Sequence, residues 1–308
     1  LDRLVAMLRA AGDPTRLRLL LLLREAELTV SELIEIVGQS QPRVSRHLKL
    51  LGEAGLLERF KEGSWVFYRA ADRGMGMELT RTLAGLAGEH PADRARLAQV
   101  REARAARAAA YFKANAAEWE RIRGLHAPDK EVEAAILGRL PGRIASLLDI
   151  GTGTGRMLEL LSPRAARAIG IDVSPEMLAI ARDRLAGIAN AQVRLGDLYR
   201  LPFENGAGFD AVLFHQVLHY LDDPGAAVAE AARVMAPGGH LLIADFAPHG
   251  LEFLRDDDAH RRLGFSDREV EGWFAAAGLK SAGIDTIAPP SSAGEKLTVK
   301  LWLARRSA

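Results

Sequence analysis

The sequence predicts two domains of different class. An α+β domain, a winged helix-turn-helix, comes first, and a doubly wound α/β domain with an antiparallel last strand follows. Three observations predict it. Residues 1–51 are short helical segments separated by turn signals, and a pair of strand-like runs follows at 57–69. From residue 145 apolar strand-like runs alternate with helical ones, the pattern of a parallel sheet covered on both faces. Within the latter stands Leu147-Leu148-Asp149-Ile150-Gly151-Thr152-Gly153-Thr154-Gly155, a buried strand that ends in an acid and enters a glycine turn.

The bulk numbers agree with a two-domain globular chain: 308 residues, 48% hydrophobic and 26% charged. The leucine-rich run Leu17–Leu23 is interrupted by Arg18 and is too short to span a bilayer. No signal peptide is visible, so a soluble, cytoplasmic protein without membrane association is expected. The absence of cysteine excludes disulfides, cysteine nucleophiles and thiolate metal sites from this sequence. Charge is uneven: residues 1–124 carry 21 Lys/Arg against 16 Asp/Glu, and residues 125–308 carry 20 against 24. A basic front half suits a polyanionic partner, although a surplus this small also fits ordinary scatter.

Helices are predicted over residues 3–11 and 15–24, separated by the Gly12-Asp13-Pro14 break. A third starts at Leu28-Thr29-Val30-Ser31-Glu32-Leu33, where Thr29 and Glu32 fit a capping box and Leu28 with Leu33 a hydrophobic staple. It stops at Gly38, and Ser40 is placed to cap the helix Gln41–Leu51. On that helix Val44, Leu48 and Leu51 share one face, with Pro42, Ser45, Arg46 and Lys49 opposite and Gln41 and Arg43 at its edges. A polar, cationic outer face on the second helix of such a pair suits the major groove of DNA. Arg and Gln are built for base edges, Lys and Ser for phosphates. Residues 57–69 read as two strands joined at Glu62-Gly63, a wing with Lys61 and Ser64 at its tip.

Residues 1–90 resemble the ArsR family of bacterial winged-helix repressors, through Gly12-Asp13-Pro14-Thr15-Arg16-Leu17, through Ser40-Gln41-Pro42-Arg43-Val44-Ser45-Arg46-His47-Leu48, and through the wing. The resemblance implies a homodimer that binds an inverted repeat in double-stranded DNA and releases it when an inducer binds, often a metal. This sequence departs from the metal-sensing members. Thr29 and Ser31 stand where cysteines are wanted, Gly74 stands where a histidine would accompany Asp72, and His90 alone cannot hold an ion. No metal is expected, and the inducer is something else.

Residues 75–89 are expected to form a helix offering Met77, Leu79, Leu83 and Leu86 to a dimer contact. An alanine- and arginine-rich segment runs from Pro91 to Arg123, with 91–110 as a helical linker. Its arginines (Arg94, Arg96, Arg101, Arg104, Arg107) are expected on a solvated face. Residues 111–308 then form the second domain.

In that domain strands are expected at 146–150, 168–173, 192–195, 209–214 and 240–246, and helices at 175–186 and 225–235. Two final strands, 283–287 and 296–304, have no helix between them and should pair antiparallel. A dinucleotide site wants G-x-G-x-x-G, with room for a pyrophosphate. Here the spacing is Asp149-x-Gly151-x-Gly153-x-Gly155, and Asp149 would repel a phosphate while suiting a cation. A second acid, Asp172, ends the next strand 17 residues after Gly155, where ribose hydroxyls would lie.

From Tyr111 to Arg305 the chain resembles class I methyltransferases that use S-adenosylmethionine (SAM). The resemblance implies that SAM or S-adenosylhomocysteine binds through Asp149, Gly151, Gly153 and Gly155, with Asp172 on the ribose. Met177 and Leu198 would lie against the adenine and Asp197 on its amino group, with Phe214-His215-Gln216 bordering the methionine part. Tyr111 and Trp119 occupy the segment that commonly closes over the cofactor. Pro237-Gly238-Gly239 is expected as the turn before the fifth strand. A general base helps when the acceptor carries a proton, and His215 and His219 are the candidates, with Tyr220, His249 and His260 further out. The Asn/Asp-Pro-Pro-Tyr motif of DNA amino-methyltransferases is absent at the fourth strand. The lack of cysteine argues against arsenite methylation and cysteine-based cytosine methylation.

A DNA-binding regulator, a repressor, joined to such a domain is therefore expected. The domain either methylates a small acceptor or senses SAM or S-adenosylhomocysteine to set operator affinity. A methyltransferase whose front domain only dimerises is the alternative.

Overall fold

Asp13 starts the second helix by accepting the Arg16 N–H at 3.0 Å, and the Arg16 guanidinium reaches back to the carbonyls of Ala10 and Arg9 at the end of the first helix. Local chemistry of this kind sets most boundaries in the computed structural model, which describes all residues except 63–64, 72–73, 89, 117–128, 257, 290–296 and 308. The chain divides into two units, Leu1–Ala106 and Arg107–Ala308.

The first unit runs α1 (Asp2–Ala11), α2 (Pro14–Glu25), β1 (Leu28–Thr29), α3 (Val30–Val37), α4 (Gln41–Glu53), β2 (Leu57–Glu62), β3 (Trp65–Ala70), α5 (Gly74–Ala87) and the first part of α6 (Pro91–Asn115). The capping box forms as expected. Thr29 Oγ1 accepts the Glu32 N–H at 3.3 Å and Glu32 Oε2 accepts the Thr29 N–H at 2.8 Å. Gly38 ends α3 in the left-handed region at φ 69°. Ser40 stands at the N-cap of α4 but its side chain makes no capping bond. Leu28–Thr29 is also a short strand that pairs with β3, giving the sheet order β1-β3-β2, and the wing register sets Glu62 opposite Trp65.

Two expectations are corrected here. The arginines of α6 are only in part a solvated face: Arg94 and Arg96 are exposed, while Arg101 and Arg104 are half-buried. Arg96 donates to the Ile36 carbonyl at 2.8 Å, Arg101 to the Glu25 carbonyl at 2.7 Å, and Arg104 pairs with Glu32. Asp93 lies buried under a two-pronged Arg18, at 2.7 and 2.6 Å. Leu97 and Val100 enter the core of the first unit, so two apolar side chains per helix face suffice when arginines satisfy the ends of α2 and α3. The side chain of Arg107 lies outside the described residues. On α5, Leu79 and Leu83 turn partly onto the unit's own core, which leaves Met75 and Leu86 as its most exposed apolar side chains.

The second unit continues with α7 (Asp129–Arg139), β4 (Ile144–Ile150), α8 (Arg156–Leu161), β5 (Ala165–Asp172), α9 (Pro175–Arg184), β6 (Ala191–Leu195), β7 (Phe209–His215), α10 (Pro224–Val234), β8 (Met235–Phe246), α11 (Phe253–Asp256), α12 (Asp267–Ala276), β9 (Leu279–Ile287) and β10 (Val299–Arg306). Among the described residues the sheet order is β6-β5-β4-β7-β8-β10-β9. The first five of these strands are mutually parallel, and β10 inserts antiparallel between β8 and β9. Pro237-Gly238-Gly239 is not a free turn. It lies inside β8 as an irregularity in the register with β7, with Gly238 at φ 73°. Apolar side chains fill both faces of the sheet. Asp267 fastens α12 to β10 by accepting the Trp302 indole N–H at 2.8 Å and the Lys300 ammonium, which holds the carboxyl below its usual range.

Candidate functional site

Strand β4 lies between β5 and β7, so successive connections leave it in opposite directions and open a crevice at the carboxyl ends. The glycine turn is there. Gly151, Gly153 and Gly155 all have positive φ, at 74°, 52° and 81°. At Gly151 a Cβ would also fall 2.4 Å from Val217 Cγ2, so the turn after β4 touches the loop after β7. Asp149 is buried at the end of β4 and takes the Thr152 hydroxyl at 2.6 Å.

Asp172 ends β5 with 9% of its surface exposed, and its carboxylate accepts the Gly153 N–H at 2.8 Å and the Ser174 N–H at 2.9 Å. Burial raises its pKa above the ordinary carboxylate value against the lowering effect of those two bonds. Ser174 caps α9 by accepting the Met177 N–H, which seats Met177 in the buried layer beside Asp172. Leu198 is buried, while Asp197 is exposed and accepts the Tyr199 N–H at 2.9 Å. A buried acceptor, a close-approach glycine turn and apolar side chains are the set a nucleoside needs. The Tyr111 hydroxyl donates to Asp258 at 2.6 Å. Trp119 lies outside the described residues.

The histidine candidates separate. His215 ends β7 and is 8% exposed. His219 is 1% exposed, and its Nδ1 lies 2.7 Å from Asp245 Oδ1. Asp245 was not singled out from the sequence, though an acid at the carboxyl end of an apolar strand is the signal that marked Asp149 and Asp172. Its Oδ1 also accepts the Phe246 N–H at 2.8 Å and its Oδ2 the Leu218 N–H at 3.0 Å. With both oxygens accepting, His219 Nδ1 carries the proton of the shared bond, which in the neutral ring leaves the lone pair on Nε2. Nε2 is buried and has no partner among the described residues. Leaving such an atom dry costs roughly 1–3 kcal/mol. Rings of Tyr220, His260 and Phe246 stand 4.1, 4.2 and 4.9 Å from the His219 ring, centroid to centroid. Burial pushes the Tyr220 phenol well above its usual pKa and lowers His249 to about 4.

Gln216, next to His215, is also unusual. Its φ is 52°, a left-handed conformation for a residue with a Cβ. It is 5% exposed, and neither end of its amide has a partner among the described residues.

In the first unit, Gln41, Pro42, Arg43, Ser45, Arg46 and Lys49 are all exposed on α4, while Val44, Leu48 and Leu51 are buried. Lys49 makes an exposed 3.8 Å contact with Glu53, worth little and easily given up. Lys61 is exposed on β2, and Ser64 lies outside the described residues.

The comparisons match this division. Residues 13–59 match the model for bacterial regulatory proteins of the arsR family, and residues 148–243 match the model for a methyltransferase domain. The chain joins an ArsR-family segment to a class I methyltransferase domain. A 37.1 kDa protein of a Streptomyces fradiae transposon is 40% identical over 118 residues, covering 38% of this chain and 34% of that protein. The Thermus thermophilus demethylmenaquinone methyltransferase is 42% identical over 116 residues, covering 36% and 50%. The chain thus spans half or less of the length of these relatives. A chain from the complex of the Haloferax volcanii Trm112 methyltransferase activator has TM-score 0.54 and 26% identity, covering 64% of this chain and 98% of its own. A SAM-dependent methyltransferase of Thermotoga maritima, at TM-score 0.50 and 24% identity, shares the fold over 64% and 99%. A methyltransferase domain of this class takes its methyl group from SAM. No helix among the described residues is long and apolar enough to cross a membrane.

Proposed function

We propose that this ArsR–methyltransferase chain is a homodimeric, DNA-binding transcriptional repressor whose second domain binds SAM and methylates a small acceptor. SAM supplies an already activated methyl group, so the protein's work is alignment and management of the acceptor's proton. Asp172 would accept from the ribose hydroxyls, Met177 and Leu198 would flank the adenine with Asp197 on its amino group, and Asp149 with the glycine turn would face the methionine part. Turnover, rather than cofactor sensing alone, is supported by the buried Asp245–His219 pair, which a site that only binds SAM does not require. On α4 the exposed Gln41, Arg43 and Arg46 would enter the major groove, with Ser45, Lys49 and Lys61 on phosphates.

The chain has no cysteine, so its inducer is not a thiolate-held metal, and cofactor occupancy is the natural candidate for release from DNA. The test is operator binding with SAM, with S-adenosylhomocysteine and with neither, alongside assay of S-adenosylhomocysteine formation. Replacing Lys49 by Ala should weaken operator binding and flatten its salt dependence by about one unit of log–log slope. Operator affinity indifferent to both ligands would remove the regulatory link and leave the DNA and methyl activities independent.

A further inference from the structure

One helix belongs to both units. The division between Ala106 and Arg107 falls inside α6, which runs as a single helix from Pro91 to Asn115. We propose that α6 carries occupancy of the cofactor crevice to α3, the first helix of the DNA-reading pair, and is the element through which a bound cofactor changes DNA binding. The proposal rests on the SAM-binding and DNA-binding readings above and names the device that joins them.

Each end of the helix grips the machinery of its own unit. In the first unit α6 holds α3 at both ends. Arg104 Nε donates to Glu32 Oε1 in the first turn at 2.8 Å, and Arg96 donates to the Ile36 carbonyl near the last residue at 2.8 Å. Asp93 takes Arg18 of α2, which also reaches the Val37 carbonyl at 3.4 Å. Leu33, Ile36 and Val37 of α3 share one core with Val44 and Leu48 of α4. A shift of α3 therefore disturbs the helix that presents Gln41, Arg43 and Arg46. In the second unit the last turn of α6 touches three separate segments, those that follow β5, β7 and β8 at the carboxyl end of the sheet. Lys113 pairs with Glu176 at 3.6 Å, next to Met177 on α9. The Phe112 ring meets the Tyr220 ring edge-on at 4.8 Å, and the Tyr111 hydroxyl donates to Asp258 at 2.6 Å.

Between these grips the chain is Ala105-Ala106-Arg107-Ala108-Ala109-Ala110, and no glycine or proline follows Pro91 within the helix. Alanine has the highest helix propensity, so the stretch stays helical without tertiary contacts and acts as a rod rather than a hinge. A flexible tether would pass nothing along the chain. A helix with fixed contacts at each end passes a displacement of one end to the other. Cofactor would fill the crevice against Met177 and the loop after β7, the two segments that Lys113 and Phe112 hold. A ligand that favours one arrangement of those segments then favours one arrangement of α3, by its differential affinity for the two.

Hydrogen exchange on the full-length protein provides the test, with S-adenosylhomocysteine as the probe and wild type, Arg104→Ala and Ala110→Pro compared. Proline at 110 removes a helix hydrogen bond and clashes with the preceding turn, which breaks the rod between the grips. Arg104→Ala leaves the rod whole and releases only the first turn of α3. Circular dichroism and calorimetry establish that each variant folds and binds the probe. In wild type the probe should change exchange at the α3 amides by about fivefold or more, through local opening that leaves the unit folded. Both variants should keep the probe's effect on the segments after β5 and β7 and lose most of its effect on α3. If Ala110→Pro does not fold, Arg104→Ala decides the matter alone. No change at α3 in wild type, or a full change surviving in either folded variant, would overturn the proposal. Failure of the wild type to bind the probe would instead overturn the SAM-binding reading beneath it.

Discussion

Asp172 shows how one side chain couples folding, binding and pH. Its carboxyl is buried and its pKa raised, so between the ordinary carboxylate value and the raised one the folded protein without ligand holds a proton that the unfolded chain has already lost. Stability contributed by Asp172 is therefore present at low pH and lost as pH rises from the ordinary carboxylate value through the raised one. Ribose hydroxyls donating to the ionised form would pull the pKa back down and expel the proton. SAM affinity should then be full above the raised pKa and weaken as pH falls through it. Calorimetric titrations with S-adenosylhomocysteine, in buffers of different ionisation heat, measure the proton released. Asp172→Asn should abolish the release, and proton uptake on binding by the wild type would contradict the assignment. Gly151 makes a different point at the same scale. Its glycine was legible from spacing, but the partner that forbids a side chain, Val217, comes from 66 residues away and was not.

Among the elements, α3 carries the clearest shared interaction. One carboxylate, Glu32, serves the capping box through Oε2 and accepts Arg104 of α6 through Oε1. The ion pair is mostly buried, with 14% and 17% of the two side chains exposed, so it is screened less than a surface pair. Arg104→Ala should destabilise the first unit by about 1 kcal/mol, and Thr29→Ala by a similar amount through loss of the cap. Because both act through Glu32, the double variant should depart from additivity by roughly 0.5 kcal/mol or more, measured by urea unfolding. Strict additivity would mean that the two interactions are independent. The capping box was visible in Thr29-Val30-Ser31-Glu32 because its partners are three residues apart. The Arg104 contact was invisible because its partner is 72 residues away. Arginines spaced along an alanine-rich helix look solvated until the surface they meet is known.

For the whole molecule, the two units have separate cores, and each buries its own apolar faces. Thermal unfolding should therefore show two transitions rather than one. S-adenosylhomocysteine at a hundredfold excess over its Kd adds about 2.7 kcal/mol to the unit that binds it. That should raise one transition by about 5–10 °C and leave the other in place. Operator DNA should do the converse. A single transition moved by both ligands would show that the units fold as one cooperative body.

Reading residues alone settled what depends on near neighbours. The helix break at Gly12-Asp13-Pro14, the helix start at Thr29, the exposed cationic side of α4, the glycine turn and the acids ending β4 and β5 all follow from spacings of two to five residues, or from the period of a helix or strand. So does the antiparallel closing hairpin, because no crossover helix separates its strands. Tertiary structure decided the rest. It joined Asp245 on β8 to His219 after β7, 26 residues apart, and buried Gln216 with its amide unpaired among the described residues. It also turned the α6 arginines onto α2 and α3. These contacts are made across a sheet or between helices, where distance along the chain carries no information.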